Sequence, residues 1–390
     1  MSPSLRFPEF TGEWEKCKLG TLATKVGSGS TPKGGDAVYT SIGHYFVRSQ
    51  NVGMGFLMLD NIAHINDDIH QKHKATEIYE NDVLLNITGA SIGRTAVATK
   101  ELEGGNVNQH VCIIRTNSKV NPKFLCDYIQ TQRIQNHIKS LQTGGSREGL
   151  NFEQIRSFPI SLPSINEQNK LTCLLDKINE RIATQVRLIE DLKKLSCAIV
   201  EKMFKQSKTN GRLGDFIEQV SVRNKNGLYS NVLSVSNKQG FVKQSEQFED
   251  RTVASEDTSN YKIVKRNNFA YNPARINVGS IARLTKFDVG IVSPMYVCFR
   301  TKDGIIPEYM EAFFTSQQFF YEMMKRLEGS VRLCLSYEGL CNIPVYIPNM
   351  NKQIVMGQNI SLILSKIGLE IEYLGRLHQQ KQYLLRKMFI

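Results

Sequence analysis

The sequence predicts a mixed α/β (α+β) protein with an internal pseudo-two-fold repeat: two tandem globular parts, separated by two long helices that form an antiparallel coiled coil. Three observations predict it. A segment of the first half returns in the second at a constant displacement. Each copy leads into a proline-free stretch with apolar residues every three or four positions. Upstream of each copy lie short β-type runs divided by glycine-rich turns, with one helical stretch among them.

The repeat is read directly. Phe158-Pro159-Ile160-Ser161-Leu162-Pro163 returns 185 residues on as Ile343-Pro344-Val345-Tyr346-Ile347-Pro348, Gln168 returns as Gln353, and Lys202-Met203-Phe204 as Lys387-Met388-Phe389. A fainter echo places Gly144, Arg147 and Leu150 on Gly329, Arg332 and Leu335 at 185, and Asn86, Gly93, Val111 and Cys112 on Asn272, Gly279, Val297 and Cys298 at 186. At 390 residues the chain has room for two or three domains. The repeat divides it into a first globular part at 1–160, a central helix at 161–206, a second globular part at 207–345 and a C-terminal helix at 346–390.

In the first part the strand signals are Tyr45-Phe46-Val47, Val83-Leu84-Leu85, Thr95-Ala96-Val97 and Val111-Cys112-Ile113-Ile114, followed by a helix from Pro122 to about Leu141. The second part has Val232-Leu233-Ser234-Val235, Phe269-Ala270-Tyr271, Ile281-Ala282 and Val297-Cys298-Phe299, with a helix from Pro307 to about Leu327. The long helices start after Pro163 and Pro348, since proline does not sit inside a helix. The central seam runs Leu171, Leu175, Ile178, Ile182, Val186, Ile189, Leu192, Ile199 and Met203. Its mate runs Met356, Ile360, Ile363, Ile367, Ile371, Leu374, Leu377, Leu384 and Met388, and Ser196 and Lys381 interrupt the two at equivalent places. A single helix cannot bury such a stripe alone, so the two are expected to pack on each other and to serve as a spacer or a docking shaft.

Composition narrows the function. Hydrophobic residues at 41% and charged residues at 22% exclude wholesale disorder, and a net charge of +12 favours a polyanionic partner. No apolar run approaches the length of a membrane span and the N-terminus has no signal-peptide core, so a cytoplasmic protein with no membrane partner is expected. The eight cysteines include no C-x-x-C pair and read as reduced thiols. His70-x-x-His73 lacks companions for a metal set, and none is expected.

The loops carry nucleic-acid chemistry. Gly27 to Gly35 is a glycine-rich, hydroxyl-rich loop whose backbone N–H groups, Thr31 and Lys33 suit a phosphate. Arg48-Ser49-Gln50-Asn51 supplies side chains able to pair with guanine or adenine edges. Thr88 to Thr95 is a structural turn that brings Arg94 near DNA, and Thr143-Gly144-Gly145-Ser146-Arg147 suits close approach to a phosphate backbone. In the second part Asn272-Pro273-Ala274-Arg275 has no aromatic where an adenine methyltransferase stacks its flipped base. Arg275, Asn277 and Arg332 are its DNA-facing candidates. No catalytic set is found, and no catalytic residue is assigned.

Taken together, Leu5-Arg6-Phe7-Pro8-Glu9-Phe10-Thr11-Gly12-Glu13-Trp14, Gly29-Ser30-Thr31-Pro32, Gly89-Ala90-Ser91-Ile92-Gly93 and Ile160-Ser161-Leu162-Pro163 with Glu167-Gln168 resemble the specificity subunit of Type I restriction-modification enzymes. The resemblance runs through the whole chain. It implies two target recognition domains held apart by paired helices and a non-catalytic subunit reading a bipartite asymmetric target on double-stranded DNA. It also implies two modification subunits docked on the helices, S-adenosylmethionine on those partners and no cofactor in this chain, with restriction motor-nuclease subunits joining them. Helix-seam candidates are Leu175, Ile178, Ile182, Ile189, Ile363, Ile367, Ile371 and Leu374. One departure stands out: the second helix opens Asn351-Lys352-Gln353, with Lys352 where the first has Glu167. The rival reading is a tandem coiled-coil scaffold that binds protein partners without sequence-specific DNA contact.

Overall fold

The structure is a computed structural model, and it describes all residues except 1, 143–148, 206–207, 238, 245–256 and 330–331. It contains two compact units: Met1–Thr184 with Tyr373–Ile390, and Gln185–Glu372. Each unit therefore takes in a segment of both long helices, Ile165–Lys205 and Met350–Met388.

In the first unit β2 (Ala23–Ser28), β8 (Val111–Thr116), β5 (Val83–Asn86) and β6 (Thr95–Val97) form an antiparallel sheet in that order. A smaller sheet orders β4 (Ala63–Ile65), β3 (His44–Val47) and β7 (Asn106–Val107), with β3 and β7 parallel. The pair β1 (Glu15–Lys18) and β9 (Pro159–Leu162) ties the ends together. Successive strand residues point to opposite faces. Val83, Leu85, Cys112 and Ile114 accordingly enter the core shared with the helices, and Leu84, Val111 and Ile113 enter the core shared with the small sheet. Burial on both faces is why Val83-Leu84-Leu85 reads as unbroken apolar sequence.

The second unit repeats this topology. Strands β11 (Ile217–Gln219), β18 (Val297–Thr301), β15 (Phe269–Tyr271) and β16 (Ile281–Arg283) form the antiparallel sheet, and β10 (Gly211–Arg212) pairs with β19 (Pro344–Val345). The small sheet orders β13 (Gly240–Lys243), β12 (Val232–Ser236), β17 (Val289–Val292) and β14 (Lys262–Lys265), with β12 and β17 again parallel. Phe269, Tyr271 and Phe299 face the helical core, and Ala270 and Cys298 face the other.

The predicted single helix after the main sheet is in both units two helices, Pro122–Ile129 with Gln132–Gln142 and Pro307–Phe314 with Gln317–Met324. A hydroxyl makes each break. Thr131 Oγ1 donates to the Tyr128 carbonyl, and Ser316 Oγ, its equivalent 185 residues on, donates to Phe313 and accepts the Phe319 N–H as an N-cap.

The repeated glutamines are staples. Gln168, fully buried, accepts the Asn121 N–H (2.8 Å) and donates to the carbonyls of Lys119 (3.1 Å) and Pro163 (2.9 Å). Gln353 does the same with Ile306 (3.0 Å), Gly304 (3.2 Å) and Pro348 (3.0 Å). The Glu167/Lys352 departure also has a reason. Glu167 is 2% exposed and takes a bidentate pair from Arg6 (2.7 Å to each oxygen) and the Trp14 indole N–H (3.3 Å), so it holds the N-terminal segment. Lys352 stands exposed, and among the described residues no carboxylate or guanidinium pairs with it.

Both units contain antiparallel helix packing. In the first, Leu171 and Leu175 share a core with Leu385 and Met388, and Arg181 reaches the Tyr373 hydroxyl (3.2 Å). In the second, Val200 and Phe204 share a core with Ile360, and the Gln185 amide donates to the Glu370 carbonyl (3.1 Å). Leu175, Ile178, Ile189 and Ile367 are buried, and Ile182, Ile363 and Leu374 half-buried, as a seam requires. Ile371 and Val186 are corrections, being 49% and 38% exposed. The strict four-three alternation from Leu171 falls on Gln185, not Val186, and the equivalent in the other helix is Glu370; apolarity picked the wrong neighbour in each. Val200 and Leu385 likewise displace Ile199 and Leu384.

The expectation that no segment is apolar enough to span a bilayer is corrected for Met350–Met388, whose best eighteen-residue window has mean hydropathy 1.3. That window is 17% buried, and Val355, Leu362 and Leu369 stand exposed seven residues apart.

Candidate nucleic-acid interface

In the first unit four loops leave the sheets at one end, because Ser28 pairs with Cys112, Asn86 with Val111 and Val47 with Val107. The segments after β2, β3 and β5 and the β7–β8 connection therefore meet in a rim. Backbone bonds fix it: Gly29 N–H to Asn108 (3.2 Å), Asn108 N–H to Val47 (3.0 Å) and Ile87 N–H to His110 (2.9 Å). Asn86, buried, donates to the Ser49 carbonyl (2.8 Å). Leu150 N–H bonds Ile87 (2.8 Å), so the segment following 143–148 also ends here.

Side chains join the loops as well. The Thr31 hydroxyl donates to Gln109 Oε1, Gln109 Nε2 lies 3.1 Å from His110 Nε2, and His110 Nδ1 bonds the Thr88 hydroxyl. Gln109 and His110 were missed by sequence reasoning. The available signal was an amide and an imidazole directly before the strand Val111-Cys112-Ile113-Ile114, where a strand start presents them at a sheet end.

The rim holds Thr31, Gln50 and Arg94 exposed, with Lys33 exposed two residues beyond Thr31. Arg48 is half-buried, its guanidinium carbon 5.4 Å from the Tyr39 ring centroid and its buried Nε without a hydrogen-bond partner. Asn51 is a correction. It is 3% exposed where an exposed side chain was expected, accepts the Arg48 N–H (3.0 Å) and donates to Met58 (2.9 Å), so its amide shapes the turn. Arg147 lies outside the described residues. Gly29 answers a packing need, since a Cβ there would stand 1.7 Å from the Val107 carbonyl oxygen. Gly93 has φ +84 and its equivalent Gly279 φ +88, so both tight turns depend on a left-handed residue.

The second unit builds its rim from equivalent segments. Leu335 N–H bonds Pro273 (3.0 Å), matching Leu150 to Ile87, and the Ser280 hydroxyl donates to Val235 (3.1 Å). Arg275 is exposed at the start of a 3-10 turn that holds half-buried Asn277, and Arg332 is exposed. Asn272 accepts the Ala274 N–H (3.1 Å), which commits its amide oxygen within the turn. Where the first unit has Gln109 and His110, the strand register places Pro294 and Met295 in the second, both exposed, while Tyr296 takes the buried place of Val111.

Among the described residues no group of His, Cys, Asp and Glu is placed to hold a metal ion, and all eight cysteines are free thiols. His44 and His70 stack at 3.8 Å, and His44 lies between the Gly104 carbonyl and Asp67 (2.8 Å each).

Residues 11–194 match the profile of the Type I restriction modification DNA specificity domain. That stretch, just under half of the chain, is similar to the family's domain. The match covers the first unit's globular part and much of the central helix. The specificity subunit of the Type I restriction enzyme EcoBI from Escherichia coli is 24% identical over 135 residues, a match spanning 34% of this chain and 28% of that relative. The fold of a Type I restriction-modification S subunit from M. genitalium covers 100% of this chain and 99% of its own at TM-score 0.63 and 17% identity. A structure from work on complex assembly and conformational transition of the type I R-M system covers 98% of both chains at TM-score 0.57 and 14% identity.

Proposed function

We propose that this chain belongs to that specificity family and is the DNA-recognition subunit of a Type I restriction-modification complex. It reads a bipartite asymmetric target, one half-site per unit, and leaves catalysis to its partners. The observation that carries this reading is the duplicated rim. One framework presents Thr31, Arg94, Gln109 and His110 in the first copy and Arg275, Pro294 and Met295 in the second, as two different half-sites require. Loops of the rim enter the major groove, and exposed Arg94, Arg275, Arg332 and Lys33 fix register on phosphates. The net charge of +12 agrees with such a partner.

Adenine methylation is assigned to two modification subunits carrying S-adenosylmethionine, and cleavage to restriction subunits that join them. The exposed Val355, Leu362 and Leu369 stripe supports a protein partner on the C-terminal helix. The test is methylation mapping of the assembled complex, with residues 1–150 exchanged for those of a relative. One half-site changes and the other stays. A change in both halves, or methylation without sequence preference, overturns the proposal, and the latter outcome favours a scaffold.

A further inference from the structure

We propose that Gln109 reads an adenine in the half-site of the first unit through the outer edge of its amide, with Thr31 and His110 as the positioning residues that hold it. The inference rests on the DNA-reading function proposed above. Gln109 is exposed, yet its surroundings are fixed. Buried Asn108 pins the short loop on both sides, accepting the His110 N–H on its side chain (3.0 Å) and the Val111 N–H on its carbonyl (3.3 Å).

A carboxamide has two lone pairs on oxygen and two N–H groups. Thr31 takes one lone pair, and His110, anchored by Thr88, takes one N–H at 3.1 Å. One acceptor and one donor remain side by side. Both ends of this hydrogen-bonded chain are hydroxyls, which donate or accept; turning the amide over reverses the chain and exchanges the places of the free acceptor and donor, still leaving one of each. Adenine offers N6–H and N7 to such an edge in the major groove. Guanine offers two acceptors, one of which faces the amide oxygen, and thymine and cytosine each satisfy half of the pair. A free glutamine loses rotamer freedom on binding, and here most of it is already lost. The equivalent residue of the second unit is Pro294, which has no amide side chain, so the effect belongs to one half-site.

The test uses the full-length chain assembled with its modification subunits, and methylation is scored over targets carrying each base at each position. Gln109→Ala lowers discrimination at one adenine of the first unit's half-site by roughly ten- to hundredfold and leaves the other half-site intact. Gln109→Glu, with two acceptors, moves preference at that position toward cytosine. Thr31→Val weakens the same discrimination and Thr31→Ser retains it, a pattern in base preference that a merely structural role would not produce. Wild-type preference at every position in Gln109→Ala, a change at a G·C pair, or a change in both half-sites overturns the inference. If the unaltered complex itself shows no sequence preference, the DNA-reading function falls and Gln109 falls with it. If the unaltered complex is specific and Gln109→Ala is identical to it, only the present inference falls.

Discussion

Replacing Gln168 by alanine removes three hydrogen bonds from a site closed to water, those to the Asn121 N–H and to the Lys119 and Pro163 carbonyls. At about 1 kcal/mol net per bond, with some addition for the cavity left, the first unit loses roughly 3 to 4 kcal/mol. For a unit of this size the urea slope is about 3 kcal/mol per molar, so the midpoint falls by about 1 M. The chain provides its own probe. Trp14 is the only tryptophan, it is buried, and it packs edge-on against Phe124 (6.0 Å) and Phe389 (6.4 Å) in the first unit. Its fluorescence therefore follows that unit. Gln353→Ala removes the equivalent bonds in the second unit, where circular dichroism registers the loss and Trp14 does not. A Trp14 midpoint that moves by less than about 0.3 M in Gln168→Ala refutes the staple. Equal Trp14 shifts from both variants would show instead that the two units melt together.

The remaining expectations use similar measurements. Burial pushes the Asp127 carboxyl up to about 7, against the pull of Lys381. A carboxyl with a native pKa above its unfolded value favours the native state when protonated, so the first unit loses stability as pH rises from about 4 to about 7. Asp127→Asn flattens that slope in Trp14 midpoints taken at pH 5 and pH 8. Arg6→Ala strands the Glu167 carboxylate and costs about 3 to 5 kcal/mol, part of which Glu167→Gln restores in the double variant; equal stability of the two would discount the pair. Asn51→Ala lowers stability by about 1 to 2 kcal/mol without altering the target, since its amide is spent on the turn. Arg94→Ala weakens binding of all sequences alike and reduces the salt slope by about one, as fluorescence titration at several salt concentrations would show.

What was legible in the sequence follows from what physics makes residue-specific. The staples Gln168 and Gln353 and the prolines before them kept their identities and their register because few side chains satisfy two carbonyls and an N–H at once. The sheets kept only their alternation. Leu84 and Ala270, or Ile114 and Phe299, are equivalent in topology and share no side chain, since any apolar residue of suitable volume serves a face. Asn51 is ambiguous in sequence because the amide that suits adenine also suits a turn, and in the fold it bonds the Arg48 N–H and the Met58 carbonyl. Gln109 escaped because its neighbours Thr31 and Thr88 are remote in sequence.

The interleaving of the helices also bears on how the chain is made. Gln185–Glu372 is one continuous stretch, and all of it has emerged before the first unit receives its last segment, Tyr373–Ile390. During synthesis the earlier-made sheets must wait with Trp14, Phe124 and Tyr128 unfilled until Phe389 arrives to pack among all three. The later-coded unit is thus the first able to close. A ribosome that stalls within the C-terminal helix leaves an open apolar socket in the half that was translated first, where chaperones that hold nascent chains have most to do.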